Sequence, residues 1–151
     1  MTTTIEVLDL TAHAGEHLGH SDWHEITQQQ VNMFADATGD HQWIHVDPER
    51  AKSGPFGATI AHGYLTMSLV PALLQEVWKV EGMSMGLNYG INKLRFPSPV
   101  PVGSKVRADV TLASVEEVGG GGFQTILNVT IEVEGQDKPG CVAEVVYRYY
   151  G

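Results

Sequence analysis

Asp40 and His45 stand five positions apart, with four residues between them, in the segment Ala37-Thr38-Gly39-Asp40-His41-Gln42-Trp43-Ile44-His45-Val46-Asp47-Pro48. A carboxylate and an imidazole on one short loop are what acid–base work on a water molecule requires. Imidazole exchanges its proton near neutral pH, with an unperturbed pKa of about 6.5. An exposed aspartate is ionised there and can orient a water or the imidazole. Fully extended, this stretch of chain spans roughly 17 Å. The loop must therefore fold back if the two groups are to share a water.

The flanking elements can hold such a loop. Thr27 and Gln30 form a capping-box pattern, and Val31, Phe34 and Ala35 follow at helical spacing with Thr38. Gly39 suits a left-handed helix end. A helix of about three turns thus ends just before Asp40. Asp47-Pro48 reads as an N-cap with proline at the first helical position, opening a short helix through Arg50 and Ala51. That gives Asp47 a capping role rather than a catalytic one. Ser53 to Gly57 is loop. A third helix starts near His62-Gly63, with Leu65, Leu69, Ala72, Leu73 and Trp78 on one face and Val70, Leu74 and Val77 over much of the rest. Apolar on nearly all sides, it is expected to be buried, with Pro71 bending it.

After Gly82 the period changes to two. Val106 to Leu112, Phe123 to Val133 and Cys141 to Tyr149 alternate apolar and mostly polar residues, as half-buried antiparallel strands do. Met83 to Phe96 is a further strand whose phase slips near Asn92, so a bulge is expected beside Gly90. Gly119–Gly122 and Gly135–Lys138 supply hairpin turns. Pro97, Pro99 and Pro101 fit a sheet edge or a connection. The expected fold class is α+β: a long buried helix against a curved antiparallel sheet, in a single domain over residues 1–151.

Bulk properties narrow the function. The net charge of −9 argues against non-specific nucleic-acid binding. Lys93, Arg95, Lys105 and Arg107 form the one local basic group, read as outward strand positions rather than a phosphate site. The single cysteine, Cys141, lies in an apolar strand and reads as a buried structural thiol in a reducing compartment. The segment Met1 to Glu6 lacks the basic and apolar regions of a signal peptide. Tyr64 to Val80 is too interrupted for a membrane span. The expectation is a soluble cytoplasmic protein. His13, His17, His20 and His24 do not match a zinc spacing, and no metal is expected there.

Taken together, Asp40-x4-His45, Asp47-Pro48, Ala61-His62-Gly63 opening a helix, and the connection Phe96-x3-Val100-x2-Gly103 resemble the MaoC-like hydratases. These are the (R)-specific enoyl-CoA hydratase branch of the hotdog fold, and the likeness is to its short single-domain actinobacterial type. It runs from about Ser21 to Tyr149. The resemblance implies a hotdog fold, a homodimer with joined sheets, and sites near the dimer interface. It implies reversible syn hydration of a trans-2-enoyl-CoA to an (R)-3-hydroxyacyl-CoA, with no cofactor beyond the coenzyme A of the substrate. Asp40 and His45 match the catalytic pair, and Ser68 matches a serine that the family places near the aspartate.

Many relatives read Asp-x-Asn-Pro-x-His, where this chain has Gln42 and Trp43. Gln42 donates and accepts as asparagine does. Trp43 removes a backbone restraint and adds bulk, which bears on acyl-chain preference.

An enolate oxygen formed during hydration needs donors. First-turn N–H groups around Gly63 lack intrahelical partners, and glycine admits a close thioester. One such donor is worth about 3 kcal/mol in a transition state. Gly63 is the expected oxyanion residue. His62, Ser68, Gln42 and Tyr64 complete the expected substrate-binding set. For His62 a bond to a helix-start carbonyl is an equal alternative; for Ser68, a bond to its own backbone. Trp43 and Tyr64 either line an acyl tunnel or pack in the core. His41 reads as a surface group, and Glu76 as exposed or dimer-facing.

Three other functions compete. A hotdog thioesterase would place a carboxylate early on the buried helix, where this chain has Thr66 and Ser68. A non-catalytic acyl or polyketide binding module is compatible with the fold. A metal centre would use Asp40, His41, His45 and His62.

Overall fold

The computed structural model describes residues 2–151; Met1, the first residue of the segment weighed against a signal peptide, lies outside them. Strand β1 (Thr3–Glu6) and a 3-10 turn (Val7–His13) lead into β2 (His17–His20) and β3 (His24–Glu25). Helix α1 (Gln28–Thr38) starts where the Thr27 hydroxyl accepts the Gln30 N–H at 3.1 Å. It ends where Gly39 turns left-handed, at φ +83°. Two short helices follow, α2 (Trp43–Val46) and α3 (Pro48–Lys52). Asp47 caps α3 by accepting the Arg50 N–H at 3.2 Å.

Next come α4 (Gly63–Ser68), α5 (Val70–Val77) and β4 (Trp78–Glu81). The chain ends in β5 (Met85–Arg95), β6 (Lys105–Val118), β7 (Gly122–Val133) and β8 (Cys141–Tyr150). The main sheet has the order β2-β6-β7-β8-β5, with β3 also on β6, and all its pairings are antiparallel. The odd-numbered residues of β7 and β8 and the even-numbered residues Val106 to Leu112 of β6 turn inward. They pack with Leu65, Val70, Leu73, Leu74 and Val77 of α4 and α5 in one core. This is the hotdog arrangement, a helix laid in a curved sheet.

Three features depart from the sequence reading. The central helix is two segments, broken at Leu69, whose N–H reaches back only to Thr66 and Met67. Pro71 sits in the first turn of α5, where its missing N–H costs nothing. Burying five apolar side chains is worth roughly 10 kcal/mol gross, far above the loss of about 1 kcal/mol for a broken helical bond. The helix pair is also not buried all round. Tyr64, Ser68, Pro71, Ala72 and Gln75 form an exposed stripe, because the sheet covers only one face. Trp78 leaves the helix altogether and starts β4, which pairs in parallel with β1. No described helix is long and apolar enough to cross a membrane.

Other expectations resolve simply. β5 carries two register slips, at Asn88/Gly90 and at Ile91/Lys93. Cys141 is fully buried, and burial pushes its thiol up to about 11, so it stays protonated. Arg107 stacks over Trp23 and pairs with Glu132 on the outer sheet face. His13, His17 and His24 each meet a carboxylate, from Glu16, Asp109 and Glu76. Glu76 therefore ties β3 to α5: it also accepts the Asp22 N–H at 3.1 Å.

Candidate active site

The loop after α1 folds back because Trp43–Val46 closes a helical turn. Gln42 C=O accepts the His45 N–H at 2.9 Å. The ionisable atoms of Asp40, His45 and His62 consequently lie within 4.8 Å of one another. Two partners of one water, each at about 2.8 Å and at a tetrahedral angle, stand about 4.6 Å apart. The spacing suits a shared water.

His45 is buried, and its Nδ1 lies 2.7 Å from the Ile60 carbonyl oxygen. A carbonyl only accepts, so Nδ1 carries the proton and Nε2 is the free lone pair of the neutral ring. Three further bonds fix the ring's origin. Gln28 donates from its amide to the His45 carbonyl at 2.8 Å, and Thr59 donates to the Gln28 side chain at 2.6 Å. Ile60 N–H donates to Ile44 C=O at 3.0 Å. Asp40 is exposed, with its carboxylate 3.4 Å from the Gln42 N–H. An acid in water beside a base fixed in the protein can position a water without strong pairing of its own.

Gly63 begins α4, and its N–H is a first-turn donor with no intrahelical acceptor. A Cβ built on Gly63 would fall 2.9 Å from the Phe96 ring. His45, Gly63, Thr66, Phe96 and Ser98 share a cleft of about 170 Å³ with neighbouring residues of the Ile60 and Pro99 segments. Base and proposed oxyanion donor thus open on one space.

The remaining expected residues are placed as follows. The His62 ring is buried between Phe34 and His45, with Nε2 at 3.0 Å from the Asp40 carbonyl. Tyr64 is 70% exposed and meets Phe96 edge-on. Ser68 is exposed, and its hydroxyl donates to the Tyr64 carbonyl at 2.6 Å, the backbone alternative of the sequence reading. Gln42 is an exposed N-cap that acts through its carbonyl. His41 turns outward to Asp36 at 3.0 Å. Trp43 packs against Gly54 under the Arg50 guanidinium, as a brace between α2 and α3.

The metal alternative meets a geometric objection. Nitrogens on one zinc ion stand about 3.3 Å apart and converge on it. Here the two imidazoles stack at 3.9 Å between centroids, and one nitrogen of each is bonded to a backbone carbonyl, Ile60 for His45 and Asp40 for His62.

Gln28, Thr59 and the Ile60 carbonyl lie 14 to 17 residues from His45 and no local pattern marks them; Phe96, 51 residues away, stands in the sequence only as part of the Phe96-x3-Val100-x2-Gly103 connection, with no site role assigned. Gln28 leads to a test. Gln28→Leu is expected to lower stability by about 2 kcal/mol, for the lost hydrogen bonds to the His45 carbonyl and from the buried Thr59 hydroxyl. It is also expected to lower kcat several-fold while leaving KM unchanged; thermal melting and steady-state hydration kinetics measure both.

The fold is the hotdog fold, and its first loop brings a carboxylate and an imidazole together near the start of α4. Residues 9–134 match the MaoC like domain model, and the chain belongs to the MaoC-like dehydratase family. It is 58% identical over 149 residues to 3-hydroxyacyl-thioester dehydratase Z of Mycobacterium tuberculosis, covering 99% of both chains. It is 43% identical to nodulation protein N of Rhizobium leguminosarum bv. viciae, over 92% of this chain and 88% of that one. The (R)-hydratase from A. caviae involved in PHA biosynthesis superposes with a TM-score of 0.72 at 26% identity, covering 87% of this chain and 95% of that one. The protein is a hydro-lyase, a dehydratase or hydratase of this family.

Proposed function

We propose that the substrate is an acyl-CoA thioester and that the enzyme interconverts trans-2-enoyl-CoA and (R)-3-hydroxyacyl-CoA. The observation that carries this is the fixed tautomer of His45, together with a ring nitrogen of His45 and a carboxylate oxygen of Asp40 within 4.8 Å, a span one water can bridge. In hydration, Nε2 takes a proton from the bound water as its oxygen bonds to C3. The C2=C3 electron pair moves onto the thioester as an enolate, held by the Gly63 N–H. The proton on Nε2 then passes to C2 from the same face, which is syn addition. Asp40 accepts a hydrogen bond from the water's other O–H, which stays on the product hydroxyl, and its carboxylate offsets the charge on the transient imidazolium. Dehydration is the same path reversed. Acid–base groups alone move every proton, so the reading calls for no cofactor.

The working unit in this reading is a homodimer. β5 ends the sheet with a free edge, and Met85, Leu87, Tyr89 and Ile91 on it are 43–55% exposed. A long exposed apolar edge is a template for strand pairing with a second copy.

The test is crotonyl-CoA hydration followed by loss of the conjugated-thioester absorbance, with chiral analysis of the product. (R)-3-hydroxybutyryl-CoA is expected without release of free CoA. Free CoA would indicate a thioesterase, and no turnover a binding module. The same assay across short, medium and long enoyl-CoAs defines the acyl range.

A further inference from the structure

His62 sits at the meeting point of the three working parts of the site. Its ring is 3% exposed. Its Nε2 lies 3.0 Å from the Asp40 carbonyl, which only accepts, so Nε2 carries the proton. Its face stacks on His45 with centroids 3.9 Å apart and planes at 24°. Its own peptide leads directly into Gly63, and its carbonyl accepts the Thr66 N–H at 3.1 Å, fixing the first turn of α4. One side chain therefore touches the acid's backbone and the base's ring, and it is anchored on the helix start that carries the oxyanion donor.

The cost of this arrangement is visible. His62 Nδ1 is buried and meets no hydrogen-bond partner among the described residues. A phenylalanine would fill the space between Phe34 and His45 without an orphan nitrogen. What phenylalanine lacks is the N–H toward Asp40. Asp40 has little else to hold it: it is exposed, and among the described residues its carboxylate has only the long contact to the Gln42 N–H.

We propose that His62 is a positioning residue: through its Nε2–H it sets the carboxylate of Asp40 against His45, in register with the Gly63 N–H. It does not itself contact substrate, in contrast to the substrate-binding role expected from the sequence. The proposal rests on the reading of Asp40 and His45 as the acid–base pair. That reading stands or falls on variants of those two residues, whereas this one is decided on the enzyme with both intact.

The experiment compares His62→Phe, which keeps the ring and loses the N–H, with His62→Gln, whose amide nitrogen lies at the same reach. Asp40 is exposed, so water can satisfy its carbonyl in the phenylalanine variant. For H62F, kcat on crotonyl-CoA is expected to fall about a hundredfold, the scale of a misplacement near 1 Å, with KM little changed. H62Q should recover most of that loss. On an Asp40→Asn background, H62F should slow the reaction no further, since groups acting as one unit are not additive. Equal losses in H62F and H62Q, or full additivity with D40N, overturn the proposal. Should H62F fail to fold, His62→Asn replaces it: asparagine falls short of the Asp40 carbonyl, and an H62N enzyme as active as H62Q also overturns it.

Discussion

Asp40→Asn and His45→Ala are each expected to slow crotonyl-CoA hydration by at least about a hundredfold, the usual scale for one acid–base group. The Asp40 variant is the cleaner of the two. Asparagine keeps the shape and removes the charge, and Asp40 is exposed with one long bond at 3.4 Å. Its melting temperature should therefore match the wild type, so any loss of rate is chemical. His45 is buried and bonded to Ile60, so its truncation also leaves a cavity and an unpaired carbonyl. Circular dichroism must show that this variant is folded before its rate is read. If the pair acts through one shared water as proposed, the double variant should be no slower than the slower single variant. A near-normal rate in either folded variant would falsify the assignment.

Gly63→Ala carries the second large effect. The added methyl would lie 2.9 Å from Phe96 Cδ2 and Cε2, closer than real Cβ contacts. Phe96 is 40% exposed and can swing outward, so the stability cost is modest, about 1 kcal/mol or a few degrees in melting temperature. The rate suffers more. The methyl enters the cleft shared with His45, and a shifted helix start misaims the N–H at the enolate oxygen. Loss of one such donor lowers kcat by about a hundred- to a thousandfold. Gly63→Ala with Phe96→Ala should recover the stability but only part of the rate, because the methyl still occupies the thioester's place. A Gly63→Ala enzyme with wild-type kcat would remove Gly63 from the oxyanion role.

Much of the frame was legible because it is written in local patterns. Alternation at period two places strands β6, β7 and β8, since each residue's facing depends only on its neighbours. Thr27, Gly39 and Asp47-Pro48 mark helix ends, because caps satisfy backbone groups within a few residues. The short N-terminal strands and β4 were not legible. Two to four residues carry too little period, and these pairings join segments far apart, as His17 with Thr111 and Thr3 with Trp78. The break at Leu69 escaped for another reason: proline suggested a bend, but which turn yields depends on how α4 and α5 meet the sheet.

The site divides along the same line. The sequence alone determined which groups could do the chemistry, because an acid, an imidazole and a glycine at a helix start are fixed by residue type. Only the tertiary structure decided that Asp40 and His45 meet within 4.8 Å. It alone decided that Ile60 selects the tautomer of His45, that Gln28 and Thr59 brace it, and that His62 joins loop, base and helix start. Those contacts link residues separated by 15 to 31 positions, or, for the acid and base, a single turn too short to form unaided. Their geometry is set by packing on the sheet, which no local pattern encodes.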